Sequence, residues 1–403
     1  MSTRARLAAF FAALGALVVV ATILTIALRP VAVAPNAPDA FDITAGMDDC
    51  GRGWGAAGTA ETDGVAAEAP AVRGGDQTFT VTNTTVGGIE VYVQAVDSKR
   101  VYLDLESIGA GAHATARVTL GAGRYRFVCL PADADPVRGP VVTVGKAPPG
   151  SPLTPGIVPV TRTDLIPVAK AYTAWVASRL PALRQQVAAV AADAEEGDLP
   201  AARRDWLTAH TTYETLGAAY DAFGELGDQL DGVPRGEPTG FHLVESQLWH
   251  GDAAATVAAS ADALLGLVDR LQAEFADVQL DPGDVALRAH EIVEDAIQDT
   301  LTGATDAGSG TSLASADAEL TGAEQALAPL EPVLASRYDR LGDTRAALAA
   351  AHAVVETHRA ADGTWTPLAQ LSRADRERVD AALDRAAELL APVAAICDPR
   401  RDS

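Results

Sequence analysis

The chain has 403 residues, of which 31 are Lys or Arg and 54 are Asp or Glu, for a formal charge of −23. At roughly 150 residues per domain this length suggests two or three domains, and an apolar fraction of 48% with 35 Gly and 23 Pro excludes a disordered or collagen-like chain. The acidic balance argues against a nucleic-acid partner, whose phosphates demand a basic surface, and suits either the capture of cations or simply solubility.

At the N-terminus, residues 8–28 are uncharged and mostly apolar, behind Arg4 and Arg6. About 20 such residues span a bilayer, whereas a signal-peptide core is usually about 7–15, so the segment 1–35 reads as a membrane anchor. Small residues at 32–40 leave cleavage as the alternative. Basic residues before the span place the body on the extracytoplasmic side.

From 36 to 146 the chain reads as an all-β sandwich or barrel. Gln77–Asn83, Ile89–Ala95, Thr115–Leu120 and Arg124–Leu130 are rich in β-branched and aromatic residues, with Gly-bearing turns between them. Residues 147–160 carry five prolines and read as a stiff linker. From 161 to 403, Ala-rich segments at helical spacing predict helices near 164–196, 200–222, 241–250, 252–278, 284–302, 313–357 with a break at Pro329 or Pro332, and 372–394. Helix starts are expected after Asp198, Asp281 and Ser372, and a kink at Pro181. The expected fold is therefore a β domain followed by an all-α bundle, or two bundles side by side. Residues 151–403 hold 19 basic and 40 acidic side chains, so the helical part carries −21 of the −23.

Several residues there could bind a metal. His242 and Glu245 stand at i,i+3 in GFHLVE, so one helix face presents both an imidazole and a carboxylate. The spacing is common by chance, and on the pattern alone a solvated helix start is the preferred reading. His210 and Glu214 stand at i,i+4, and Glu291, Glu294 and Asp295 cluster beside His290. In a bundle, such side chains from different helices can converge on one ion. The bland reading of each pair is an intrahelical contact worth about 0.3–0.5 kcal/mol, and for His352 and Glu356 it is the preferred one. In the β domain, Cys50 and Cys129 form either a disulfide or a metal-binding pair beside Glu90 and Glu106. A blue-copper centre needs two His, and this domain holds only His113. Cys397 reads as a packed thiol. No serine-hydrolase elbow, phosphate loop or HExxH run is present.

The segments DWLTAHTTYETLGAAYDAFGELGDQLDG, GFHLVESQLWHG and RAHEIVEDAIQDTLTGATDAGSGTSLASADAELTG, together with CGRGW, TFTVTN, IEVYV and LESIGAGAHATARVTLGAGRYRFVC, resemble EfeO-type iron-uptake proteins. The resemblance covers nearly everything after the anchor and is looser in the β domain. It implies a cupredoxin-like domain joined to an imelysin-like (M75 peptidase-like) helical domain. It also implies an extracytoplasmic role beside an iron permease and a haem-dependent peroxidase. By that resemblance His242 and Glu245 match the HxxE metal motif, and Glu214, Glu291, Glu294 and Asp295 lie in the other cleft-lining helices. Cys50, Glu90, Glu106 and Cys129 correspond to a second candidate site. Relatives are commonly exported with a cleaved signal or a lipid anchor, whereas this chain carries a membrane-length span.

The expected cargo is iron, ferric or ferrous, with copper or zinc as alternatives; carboxylate oxygen suits ferric iron, with imidazole acceptable as well. Imidazole must be neutral to coordinate, so binding is expected to weaken as pH falls through about 6.5. The rival expectations are a zinc peptidase built on His242 and Glu245, for which no further His stands at a recognised spacing, and a surface interaction protein with incidental His–Glu pairs.

Overall fold

The computed structural model describes residues 39–55, 72–232 and 238–401. The anchor expected at 8–28 lies outside them, and no helix among the described residues is long and apolar enough to cross a membrane. Contacts divide the chain between Pro155 and Gly156 into a β unit and a helical unit.

The β unit holds strands β1 (Asp39–Ala45), β2 (Gly75–Asn83), β3 (Ile89–Ala95), β4 (Val101–Ile108), β5 (His113–Leu120), β6 (Gly123–Pro131), β7 (Val137–Arg138) and β8 (Val142–Val144). One sheet runs β1-β2-β5 and the other β4-β3-β6-β7, with β8 also on β6. Alternation along β2 buries Gln77, Phe79 and Val81 and turns Thr78, Thr80 and Thr82 outward, as the two-residue period of a strand requires. Phe79 and Leu120 of the first sheet meet Val91, Phe127 and Cys129 of the second in one apolar cluster, making a two-layer sandwich. Trp54 fills its middle, edge-on to Phe79 and Phe127, and its indole N–H donates to Gln77 Oε1 at 3.0 Å. Half of the expected linker belongs to this unit. Thr154 N–H donates to the Thr119 carbonyl, and Thr154 Oγ1 accepts from Thr119 N–H, both at 2.9 Å.

The helical unit holds α1 (Arg162–Glu196), α2 (Leu199–Glu214), α3 (Tyr220–Phe223), α4 (Glu225–Asp231), α5 (Gly240–His250), α6 (Ala254–Glu274), α7 (Asp284–Gln298), α8 (Ser312–Leu327), α9 (Glu331–Leu334), α10 (Leu341–Glu356) and α11 (Arg373–Cys397). Helix α1 starts on a capping box between Thr161 and Asp164, ends at Gly197, and continues through Pro181. Its buried stripe of Leu165, Val168, Tyr172, Val176, Leu180, Leu183 and Val187 follows the 3–4 residue spacing of an amphipathic helix. Helices α1, α2 and α6 pack together, as do α7, α8, α10 and α11, yet one continuous apolar cluster runs through both groups. A single core therefore replaces the expected choice between one and two bundles.

Asp198 and Ser372 cap α2 and α11 as the sequence predicts, whereas α7 starts at Asp284, after a turn in which Asp281 accepts from Gly283 N–H. The helix expected over 200–222 differs more. It stops at Glu214, and a 3₁₀ turn at Gly217–Ala219 leads into α3 and α4. Gly217 lies flush on α7, where a Cβ would stand 2.9 Å from Ile292 Cγ1. This tertiary contact overrides local helix propensity, and it sends the chain back past Glu214 toward Asp231.

Candidate metal centre

Helix α2 presents two faces. Trp206, His210, Tyr213 and Glu214 are buried in the unit, and His210 Nε2 lies 2.9 Å from Glu214 Oε1. The other Glu214 oxygen accepts from the Tyr220 hydroxyl at 3.3 Å. The return through α4 brings Asp231 alongside, so that one ligand atom each from His210, Glu214 and Asp231 lies within 4.8 Å of the others. Donors about 2.0–2.2 Å from a transition ion stand at most about 4.4 Å apart when opposed, so a contraction of a few tenths of an ångström would close this triad on an ion.

Helix α5 adds a second imidazole. Gly240 starts it at φ +50°, in the left-handed region, and a Cβ there would fall 1.8 Å from the Leu230 carbonyl oxygen. Only glycine permits that approach of α5 to α4, which seats His242 beside Asp231. His242 Nδ1 contacts the Asp231 carbonyl and lies 3.8 Å from Asp231 Oδ1, while Nε2 lies 2.6 Å from the Thr305 carbonyl. The His242 and His210 rings meet edge to face, 5.9 Å between centroids. Because carbonyls only accept, His242 would have to exchange one of these contacts to coordinate an ion. Glu245, one turn on, is buried; its Oε1 accepts from Ser309 N–H at 3.0 Å, and its Oε2 has no hydrogen-bond partner. His210 Nδ1 is likewise buried and unpartnered. Two orphaned donor atoms around a His–Glu–Asp triad fit a cation better than a finished structural network, because unsatisfied buried polar groups are costly.

The charges are arranged accordingly. Burial alone would raise the Glu214 carboxyl, but the charge and hydrogen bond of His210, with His242 behind, hold it below the usual range. Burial likewise pulls His210 down, and Glu214, then Glu245 and Asp231, more than offset it, so that His210 titrates high. Burial and then the Glu214 charge push the Asp231 carboxyl up to about 6, although 37% of its side chain reaches solvent. Glu319 of α8 is pushed far above its usual range by burial and by Glu214, against the pull of its 2.8 Å hydrogen bond from Thr300. Helix α8 comes this close because residue 322 is glycine: a Cβ there would stand 2.9 Å from the Thr215 carbonyl oxygen. A cavity of about 220 Å³ is lined by Asp221, Asp228 and, from the triad, Asp231.

These shifts fix a pH dependence. His210, raised in the folded state, stabilises the fold below about pH 6.5 and loses that contribution as pH rises through its folded value. Asp231 loses its contribution between its ordinary 3.8 and about 6, and Glu319 above its ordinary 4.5. His352, raised by the Asp317 carboxylate against the downward pull of burial, acts in the same sense as His210. Glu214 has the opposite sign, but its window lies at more acid pH. The metal-free helical unit is therefore expected to melt at a lower temperature at pH 8 than at pH 5, with saturating metal removing much of the difference by displacing the same protons. The check is the helical circular-dichroism melt with and without metal; a metal-free midpoint that climbs from pH 5 to pH 8 contradicts this arrangement.

Of the residues expected from the sequence, Glu214, His242 and Glu245 come together here. Glu291, Glu294 and Asp295 stand apart from the triad: Arg288 holds Glu291 at 3.0 Å and Asp295 at 3.4 Å, and Glu294 pairs with His290 at 3.6 Å, 44% exposed. The second candidate site dissolves. Cys50 and Cys129 are joined in a disulfide, which removes both thiolates. Cys129 faces the core opposite Val91, whereas the neighbouring Glu90 turns to the other face of β3 and accepts from the Tyr92 hydroxyl at 2.7 Å. Glu106 is exposed, beside the irregularity in the β3–β4 pairing. Cys397 is buried, its thiol pushed up to about 12 chiefly by burial. His352 makes its close contact with Asp317 at 2.7 Å. Asp231 and Glu319 are absent from the sequence-derived set: both lie in acidic segments without a His at helical spacing, and only the chain reversal after Glu214 and the packing of α8 bring them in. No family model matches the chain, and no curated protein matches it.

Proposed function

We propose that the protein is the extracytoplasmic metal-binding component of an iron-uptake system of the EfeO type, capturing iron and passing it to a membrane permease. The observation that carries this reading is the partly buried triad of His210, Glu214 and Asp231, with His242 and Glu245 against it. One or two imidazoles and several carboxylates form a donor set that suits iron, and copper or zinc by the same softness argument. Asp231 lines an acidic cavity and 37% of its side chain reaches solvent, which favours approach of a cation to that edge of the triad. A partly open site with displaceable protons binds and also releases, as a transfer protein must. The two-layer β unit fits a cupredoxin-like domain, and the helical unit an imelysin-like one. A permease and a haem-dependent peroxidase are the partners this reading implies, with the N-terminal segment as anchor. The Cys50–Cys129 disulfide suits an oxidising, extracytoplasmic compartment.

The peptidase alternative gains no observation. Glu245 would have to serve as ligand or base, but it is 1% exposed and tied to Ser309 N–H, inside a gap without room for a water. The test is titration of the full-length protein, held in a neutral detergent, with Fe(III), beside a His242→Ala/Glu245→Ala double variant. One ion per chain is expected for the parent, with affinity reduced at least about tenfold in the variant. Absence of stoichiometric metal would leave the reading without support.

A further inference from the structure

The face of α2 turned away from the metal centre lines a larger space. Thr208, Thr211, Thr212 and Thr215 border a cavity of about 920 Å³ formed with α1, α8 and the segment after α10. Its charge is unlike that of the rest of the unit. Arg179, Arg203, Arg204 and Arg359 line it, in a helical part whose net charge is −21. Elsewhere on the unit arginines pair with acids, as Arg184 does with Asp269 and Arg373 with Glu377. Arg179, Arg203 and Arg204 have no carboxylate within 4.0 Å among the described residues, and Arg359 has only the exposed Glu356, at 3.9 Å. Instead Arg179 lies 5.5 Å over the Trp175 ring, Arg203 5.7 Å over Trp249, and Arg359 5.5 Å over Trp365. These three guanidinium–indole stacks are all of those found among the described residues, and all line this one cavity.

A guanidinium lying on an indole has its face covered and its conformational freedom cut, but its edge still presents N–H donors in the fork that matches a carboxylate. Arg203 uses Nε and Nη2 on the Leu248 carbonyl, and Arg204 uses Nη1 on that of Pro200; their remaining N–H groups have no hydrogen-bond partner among the described residues. The two carboxylates in the wall are already committed, Asp317 to His352 at 2.7 Å and Asp362 to the Thr364 N–H and hydroxyl. The cations come from three separate elements, with Ala182, Leu207, Ala314 and Ala318 between them, and no lysine lines the cavity. Spread charges over apolar walls fit negative groups distributed on a carbon skeleton, rather than one compact phosphate.

We infer that this cavity is a binding site for an organic polycarboxylate anion, held at its separate carboxylates by Arg179, Arg203, Arg204 and Arg359. It is distinct from the metal centre and goes beyond the proposed iron transfer. Three of the five tryptophans in the chain line it, so occupancy has an intrinsic fluorescent reporter.

The experiment is titration of the full-length protein in metal-free buffer with citrate, acetate and pyrophosphate, followed by tryptophan emission and calorimetry. An Arg179→Gln/Arg204→Gln variant is run alongside; both side chains are exposed and free of structural ion pairs. Citrate is expected to give a saturable response that acetate does not, weakened at least tenfold in the variant, while the variant keeps native circular dichroism and the parent's metal affinity. That last readout separates this site from the metal centre. The inference is overturned by no saturable citrate response, by equal responses to citrate and acetate, by pyrophosphate binding more tightly than citrate, or by unchanged citrate affinity in the variant.

Discussion

Glu214→Gln is expected to lower metal affinity by at least about a hundredfold. The substitution keeps the shape of the side chain and its reach to Tyr220, but removes the one carboxylate that touches His210 and faces Asp231 across the triad. Two further consequences separate a ligand from a merely structural residue. Without the Glu214 charge, His210 loses the chief influence that raises it, so its titration should move down, as burial dictates. Glu319 and Asp231 each lose a repulsive neighbour and should titrate lower than in the parent. The metal-free protein is expected to lose about 1–3 kcal/mol through the weakened buried pair. The measurements are a metal titration and the proton resonances of His210 across pH. Glu294→Gln is the control, because Glu294 is partly exposed and stands outside the triad; its affinity should equal the parent's. Equal losses in both variants would mean that general negative charge, and not this triad, attracts the ion.

The second large effect concerns the β unit. The Cys50–Cys129 bridge joins residues 79 apart in sequence. Chain-entropy reasoning credits a loop of that length with about 4.5 kcal/mol, and natural disulfides removed from small domains typically cost about 2–5 kcal/mol. Cys50→Ser/Cys129→Ser should lower the unfolding free energy of the β unit, obtained from urea titration of its near-ultraviolet signal, by an amount in that range. Both sulfurs are buried in the cluster around Trp54, so hydroxyls there find few partners and add to the loss. The metal affinity of the helical unit should be unchanged. If affinity fell with the bridge removed, the disulfide would have to matter to the metal site, although bridge and triad belong to different units.

Much of this molecule is legible in the sequence because local rules govern it. β-Branched and aromatic residues between Gly-bearing turns mark β2, β3, β5 and β6, whereas β1, β4, β7 and β8 are not among the predicted strands; β1, β4 and β7 end their sheets, where conformation depends on the partner strand. Asp198 and Ser372 fixed helix starts because a side-chain cap acts within three residues. The same locality misled at 215–222, where propensity favoured helix and the close approach of Gly217 to Ile292 prevailed.

For the site, the sequence alone determined which residue types were available: His242 with Glu245, and His210 with Glu214, paired by helical spacing, on an acidic bundle. Only the tertiary structure decided which of them share a centre. Asp231 enters because the chain reverses after Glu214 and Gly240 admits α5 against α4. Glu291, Glu294 and Asp295, equally plausible by spacing, face Arg288 and His290 instead. The sulfurs of Cys50 and Cys129 were open to metal or to each other until the sandwich placed their Cα atoms 5.8 Å apart. Helical periodicity can align side chains along one helix, but convergence between helices depends on the turns and close contacts that set how the helices meet.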